Sequence, residues 1–332
     1  MAFRDDLRPL SIPQDPLQRF VELHDALDAD RGWLGDRVPL RYAAITMLTT
    51  PGDAGAIADS IREFHADFGA RLKWYSGIDS SIRMVLAAQL VKYGDTPAAF
   101  LAEVDRVRAM FRDQGLRRGG VYEVLGALVL RRALRGQMAM PNHVARFSEI
   151  YAQLKRHHWF LTGPDDYPAC AMLMGLPGTP ADIGDGVEAV YQALRRDADL
   201  WRGDALQTAS NVLYLSGMRP EEIARRFAEL AAELKAAGYR VGQKDYDEVA
   251  VLCFLAAPAR KLVEVVMSYQ RTIRDSLEWV DRAMGLSLAA SLAFVRLVGE
   301  HEQLGPLADA KLMLDMQAIV AARQAAAAAA AS

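Results

Sequence analysis

The chain has 332 residues, of which 52% are hydrophobic, and carries a formal net charge of -3 with a pI near 6.1. A chain of this length and apolar content can bury a large core. Its charge supplies no basic field for a phosphate backbone, so the composition disfavours a nucleic-acid partner. Two cysteines, Cys170 and Cys253, are too few for a disulfide framework or a four-cysteine metal site, and both are predicted to be core residues.

The first residues, MAFRDDLRPLSIPQD, lack the apolar stretch of a signal peptide. No segment reaches about 18 uninterrupted apolar residues, the length that a membrane-spanning helix needs. The sequence therefore predicts a soluble, cytoplasmic protein with no membrane partner. Residues 1–40 are interpreted as an N-terminal capping segment with one helix, from about Pro16 to Asp30.

Helix-sized segments with the same apolar spacing, i, i+4, i+7 and i+11, recur along the chain about 40 residues apart. This spacing places four side chains on one stripe of an α-helix, and a fixed period of about 20 to 50 residues is typical of stacked repeats. Charged residues such as Glu103 and Arg226 are expected on the wet faces of these striped helices. The stripes are Ile57/Ile61/Phe64/Phe68, Phe100/Val104/Val107/Phe111, His143/Phe147/Ile150/Leu154, Ile183/Val187/Val190/Leu194, Ile223/Phe227/Leu230/Leu234 and Leu262/Val266/Tyr269/Ile273.

A second set of segments alternates with the striped set and is apolar over most of its surface; we call these the inner helices. Because such helices must be covered on both sides, each striped helix is predicted to form an antiparallel hairpin with an inner helix. Turns that combine Gly and Pro precede several of the striped helices, as expected where one helix ends and the next begins. The inner segments are 43–48, 82–91, 121–134, 169–176, 205–215, 249–255 and 286–298.

No strand pattern of alternating polarity competes with this interpretation. The predicted fold is all-α, an array of about six to seven antiparallel helical hairpins of roughly 40 residues, built as an open α-solenoid or a closed α/α toroid. The hairpin repeats are predicted to fill residues 41–300. Residues 301–332 are interpreted as a C-terminal helix with an Ala-rich tail that frays.

Acidic residues recur in the turns that lead into the inner helices, and a regular array would bring these turns to one rim. Converging carboxylates there could hold a metal ion or a cationic ligand. Helix capping is the favoured alternative, because an Asp at a helix start accepts backbone N–H bonds, and no metal site is predicted. The residues concerned are Asp79, Asp165, Asp166, Asp204 and Asp245.

Residues 157–168 are rich in histidine, aromatic and acidic residues. Histidine and carboxylate side chains can ligate a metal, but the spacing lacks an HExxH pattern. We therefore expect Trp159 and Phe160 to pack into the junction between repeats, with Trp201 and Tyr239 packed at corresponding places; a lined aromatic groove is the alternative. No nucleophile elbow, Walker loop or dinucleotide-binding glycine motif occurs, so no cofactor is predicted.

Three stretches, residues 161–173, 202–215 and 234–241, resemble bacterial proteins grouped as a domain of unknown function, the family numbered 4003. The resemblance extends from about Tyr42 to Asp275 and is most specific from His158 to Leu255. It implies a helical, cytoplasmic, bacterial protein of similar length with no established activity. The residues that match the motif-like segments of the family are Leu161, Thr162, Gly163, Asp165, Asp166, Tyr167, Leu206, Gln207 and Ser210.

The sequence is compatible with two functions. The favoured one is a non-catalytic scaffold that binds a protein, a peptide or a small ligand, since helical arrays commonly bind partners on a concave face. The alternative is an enzyme or small-ligand binder whose pocket is enclosed by the inner helices of a toroid. Gln207, Ser210 and Asn211 lie within about one helical turn of each other and are the best interior candidates. The predicted ligand-binding residues are Asp165, Asp166, Tyr167, Gln207, Ser210 and Asn211; no catalytic residue is predicted.

Overall fold

The computed structural model describes residues 12–29, 37–72, 77–277 and 282–298. Every regular element within these ranges is helical, which confirms the predicted all-α class. Two short 3₁₀ helices, Pro164–Asp166 and Gln243–Asp245, precede α8 and α12. The α-helices are α1 (Pro16–Ala29), α2 (Val38–Met47), α3 (Ala54–Arg71), α4 (Ser80–Tyr93), α5 (Pro97–Asp113), α6 (Val121–Ala133), α7 (Pro141–His157), α8 (Tyr167–Leu173), α9 (Pro180–Asp197), α10 (Asp204–Tyr214), α11 (Pro220–Ala236), α12 (Tyr246–Cys253), α13 (Ala259–Ser276) and α14 (Arg282–Val298).

The turn residues end and start helices where the sequence predicts. Gly94 has a left-handed conformation (φ 66°) and ends α4, while the Thr96 hydroxyl accepts the Ala99 N–H (3.3 Å) at the start of α5. Before α9, the Thr179 hydroxyl accepts the Asp182 N–H (3.2 Å) and the Asp182 carboxylate accepts the Thr179 N–H (2.9 Å). These reciprocal bonds satisfy N–H groups that a helix start otherwise leaves unpaired.

The chain divides into two compact units, with the boundary inside α7. In the described ranges, unit 1 comprises residues 12–145 and unit 2 comprises residues 146–298. The predicted limits at residues 40 and 300 remain predictions, and residues 301–332 lie outside the described ranges. None of the described helices combines the length with the apolar character that a bilayer crossing demands.

In unit 1, α3 packs against α1, α4 and α5, while α2 packs against α4 and α5 packs against α6. Edge-to-face contact between Phe68 and Phe100, with centroids 6.3 Å apart, joins the stripes of α3 and α5. Glu103 was expected on a wet face, but it is buried, and its Oε1 accepts the Ala139 N–H (2.8 Å) from the loop after α6. The wet-face prediction is therefore wrong for Glu103, which instead ties a loop to the striped helix.

In unit 2, α9 packs against α10 and α11, and α13 packs against α11 and α14. The inner helices α8, α10, α12 and α14 contact one another in sequence. Arg226 of α11 was expected to face solvent, but its Nη2 donates to the Leu255 carbonyl (2.8 Å) after α12. Arg146 of α7 makes a corresponding bond to the segment after α8: its Nη2 donates to the Leu176 carbonyl (2.7 Å).

Candidate functional site

Two turns of unit 2 that lead into inner helices share one geometry. The Gly163 N–H donates to Asp166 Oδ2 (3.0 Å) across the 3₁₀ helix before α8. The Gly242 N–H donates to Asp245 Oδ2 (2.8 Å) across the 3₁₀ helix before α12. Each carboxylate thus satisfies a backbone donor at a helix start, the capping role that the sequence favours for these aspartates.

A buried tyrosine follows each of these turns and anchors it to the preceding striped helix. Tyr167 meets Phe147 of α7 edge to face at 5.7 Å, and Tyr246 meets Phe227 of α11 in the same way at 5.9 Å. Edge-to-face pairs add about 0.5 to 1.5 kcal/mol beyond the area that they bury. The predicted ligand-binding residue Tyr167 therefore lies in the core, with its aromatic ring in contact with α7.

A buried hydrogen-bond network joins the first turn to α10. Gln207 Nε2 donates to Thr162 Oγ1 (3.1 Å) and to Asp166 Oδ1 (3.1 Å). Burial first, and then the negative charge of Asp165, raise the pKa of Asp166 to about 8; the bonds from Gly163 and Gln207 oppose this rise only in part. Near neutral pH this carboxyl therefore holds a proton in most molecules.

The other two interior candidates lie one helical turn or less beyond Gln207. Ser210 Oγ donates to the carbonyl of Leu206 (2.7 Å) in its own helix. Asn211 is fully buried, and neither atom of its amide has a hydrogen-bond partner among the described residues. The same holds for Gln207 Oε1, which lies one turn away. Three amide atoms on α10 are thus buried without the partners that such groups normally have.

Two carboxylates stand at the surface beside this network. Asp165 lies in the turn before α8, and Asp204 is the first residue of α10. The pKa of Asp165 is raised, first by partial desolvation of its carboxyl and then by the negative charge of Asp204. Among the described residues, no group of three or more His, Cys, Asp or Glu side chains is placed to hold a metal ion.

The two adjacent histidines at the end of α7 form separate pairs with α9. His157 Nε2 lies 2.9 Å from Asp185 Oδ1, and His158 Nε2 lies 2.6 Å from Glu188 Oε2. The His158 ring also packs against Tyr191, with centroids 4.3 Å apart. These two pairs connect the C-terminal end of α7 to α9.

The residues that follow His158 contradict the packing prediction. Trp159 is 63% exposed and Phe160 is 81% exposed, and their rings contact each other at a tilt of 34°, with centroids 3.6 Å apart. Trp201, in the turn before α10, is 76% exposed. We call Trp159, Phe160 and Trp201 the aromatic rim. Packing was predicted because large aromatic side chains usually enter the core, but in unit 2 Tyr167 and Tyr246 pack against α7 and α11 instead.

The two turns that carry the aromatic rim are each hydrogen-bonded to a buried side chain. Thr162, two residues after Phe160, bonds to Gln207 of α10. The Trp201 N–H donates to the buried Tyr246 hydroxyl (3.1 Å) at the start of α12. The turns that carry the aromatic rim are thus fixed to neighbouring helices while the aromatic rings face solvent.

A cleft of about 720 Å³ lies beside Trp201, lined by the end of α9 and the turn before α10. Its volume falls within the range of about 300 to 1,000 Å³ that is typical of binding clefts. The charged side chains that line it are Arg195, Arg196, Asp199 and Arg202. Sequence reasoning missed this cleft, although the run RRDADLWRGD does place an aromatic residue between arginines in a turn.

The described residues are thus all-helical and carry an exposed aromatic and arginine-rich surface. The family described as "protein of unknown function (DUF4003)" matches residues 67–325, and the chain belongs to this family, as the resemblance predicts. An uncharacterized protein of Bacillus subtilis (strain 168), YeaA, is 26% identical over 214 residues. That alignment covers 63% of this chain and 62% of the relative, so the chain matches less than two thirds of its length. No solved structure matches the chain.

Proposed function

We propose that the chain is a non-catalytic protein-binding module, in which unit 2 holds a segment of a partner against the aromatic rim. The observation that carries this proposal is the exposure of all three rim side chains, between 63% and 81%, in a chain whose stripe residues are mostly buried. Exposed aromatic side chains contribute little to the fold, whereas tryptophan and other aromatic residues dominate the binding energy of protein interfaces.

The rigid support of the aromatic rim favours the same function. Gln207 donates to the Thr162 hydroxyl of one turn, and Tyr246 accepts the Trp201 N–H of the other, so both turns are restrained before a partner binds. Preorganised groups lose less conformational entropy on binding. In this proposal the helices are consecutive hairpins of one repeat array over residues 41–300, and the protein works in the cytoplasm.

The test compares partners captured by variants of the full chain from cells of its own organism. Trp159→Ala, Phe160→Ala and Trp201→Ala are combined in one variant, and Met138→Ala with Met140→Ala serves as the matched control, because these methionines are also exposed. We expect a small set of proteins that the control retains and the rim variant loses. Identical sets of captured proteins for wild type and rim variant would contradict the proposal.

One observation favours a second candidate, a small-ligand binder. Gln207 Oε1 and the Asn211 amide are buried in unit 2 without described partners, and polar ligands are held by such groups. The six predicted residues, Asp165, Asp166, Tyr167, Gln207, Ser210 and Asn211, would then surround the ligand. Native mass spectrometry of the purified chain tests this candidate; a bound small molecule lost on Asn211→Leu would support it.

A further inference from the structure

The arginines of the cleft beside Trp201 differ in whether their charge is already compensated. Arg196 is paired with Asp197 through two bonds, Nε to Oδ1 and Nη2 to Oδ2, each 2.7 Å long. Its guanidinium is therefore occupied by a neighbouring carboxylate, which also raises the pKa of Arg196 and lowers that of Asp197. The positive charge of Arg196 is therefore already compensated by Asp197.

The charges of Arg195 and Arg202 are not compensated by a carboxylate in this way. Arg195 makes one long hydrogen bond to the amide oxygen of Gln192 (3.4 Å), and Arg202 has no hydrogen bond or ion pair with any described residue. Neither is paired with a carboxylate, and Asp199 is the one acidic residue among those that line the cleft. The cleft thus presents two guanidinium groups that are free to bind an anion, together with the exposed indole ring of Trp201.

The backbone around Trp201 favours an outward position for its side chain. Asp199 adopts a left-handed conformation (φ 54°), which a non-glycine residue takes up at some cost, and the Trp201 N–H is then bound to the Tyr246 hydroxyl. The side chain is consequently held outward at the edge of the cleft rather than turned into the core. A ligand that fits must bring an apolar group to the indole and negative charge to the arginines.

We propose that the partner segment is acidic, with carboxylates that bind Arg195 and Arg202 and a large apolar side chain that packs on Trp201. This inference rests on the proposed function, because it names the chemistry of the segment that the module holds. Arginine binds carboxylates in a planar, bidentate geometry, and an aromatic anchor flanked by charge pairs is typical of energetically important interface centres.

The test selects short random peptides from a displayed library on the full chain. We expect the enriched peptides to be rich in Asp and Glu and to contain a large apolar residue. Binding of one enriched peptide is followed by fluorescence anisotropy and should be about tenfold weaker in Arg195→Gln/Arg202→Gln than in wild type. Binding to the wild type should also weaken as salt is raised. Arg260→Gln, an exposed arginine on α13, is the matched control and should leave the affinity unchanged.

The outcomes separate this inference from the proposed function. If enriched peptides are neutral or basic, or if they bind the double arginine variant as tightly as wild type but fail to bind Trp201→Ala, the acidic partner is wrong and the aromatic rim remains the binding surface. If no peptide is enriched, or binding survives both sets of changes, the inference and the proposed function both fail. A short single-stranded RNA that displaces the peptide and needs the same arginines would also overturn the inference.

Discussion

Gln207 donates a hydrogen bond of 3.1 Å to Asp166 although 41 positions separate the two residues. The bond connects the turn that follows the exposed Trp159 and Phe160 to the helix that follows the exposed Trp201. When Asp166 is protonated, a Gln207 amide rotated by a half turn would place its oxygen to accept from both the Asp166 and the Thr162 hydroxyls. The network can therefore remain bonded in either protonation state of Asp166.

The first prediction concerns the pH dependence of stability. Because the pKa of Asp166 is raised to about 8 from an unfolded value near 4, the folded chain holds a proton that the unfolded chain has released between those pH values. The stability due to this group is fully present below about pH 4 and is lost as the pH rises towards about 8. The free energy of unfolding of the wild type should therefore fall by about 1.4 kcal/mol per pH unit in this range. We expect Asp166→Asn to abolish this fall.

Urea unfolding of the full chain at several pH values measures this slope. Asn still accepts the Gly163 N–H, so the variant should be as stable as wild type or more so at pH 8. Asp275→Asn, an exposed residue at the end of α13, is the control and should keep the wild-type slope. An unchanged slope in Asp166→Asn would mean that this carboxyl ionises at its ordinary pH.

The second prediction concerns the unpartnered amide of α10. Asn211→Leu replaces a fully buried amide without described partners by an apolar side chain of similar size. The desolvation cost of the amide disappears, so we expect the free energy of unfolding to rise by about 1 to 3 kcal/mol. A fall of that size in thermal and urea unfolding would contradict this prediction.

The third prediction concerns a buried ion pair in unit 1. Arg131 Nη2 donates to Asp95 Oδ1 (2.9 Å), Arg131 Nε donates to Asp95 Oδ2 (2.5 Å), and both residues are buried. Asp95→Asn removes the carboxylate that is bonded to the buried guanidinium and should cost about 3 to 5 kcal/mol of stability. Asp113→Asn, exposed at the end of α5, should change the unfolding free energy by less than about 0.5 kcal/mol. Equal effects at the two positions would refute the role of the pair.

The fourth prediction contrasts phenylalanines that differ in burial. Phe147→Ala and Phe227→Ala each remove a fully buried ring that contacts a tyrosine and should destabilise the chain by about 3 to 5 kcal/mol. Phe160→Ala removes an exposed ring and should change the melting temperature very little. A large loss of stability in Phe160→Ala would show that the aromatic rim is part of the core.

The fold class and helix positions could be predicted because apolar spacing and turn chemistry are local signals. The stripe from Ile183 to Leu194 lies inside α9, and the Thr179 to Asp182 turn caps it as its residue types suggest. The roles of charged residues were harder to predict. Glu103 and Arg226 occupy positions that periodicity assigns to solvent, yet they bind loop backbone groups, and no local pattern reveals a partner about 30 residues away.

The candidate site was predicted only in part for the same reason. The sequence shows that Asp166 and Gln207 match family-like segments, but only the packing of α8 against α10 brings them into contact and buries them. The exposure of Trp159 and Trp201 depends on which aromatic side chains pack against the striped helices. Tyr167 and Tyr246 do so, and sequence spacing alone does not rank these aromatic residues.

The most direct test of the central claim is photo-cross-linking in living cells of the organism that encodes the chain. A photoreactive phenylalanine analogue replaces Trp201 in one full-length variant and Arg260, which is exposed on α13, in the control. The account predicts a discrete adduct with another protein from position 201, weaker when Arg195 and Arg202 are changed to Gln, and no such adduct from position 260. Absence of an adduct from position 201, or the same diffuse labelling from both positions, would contradict it.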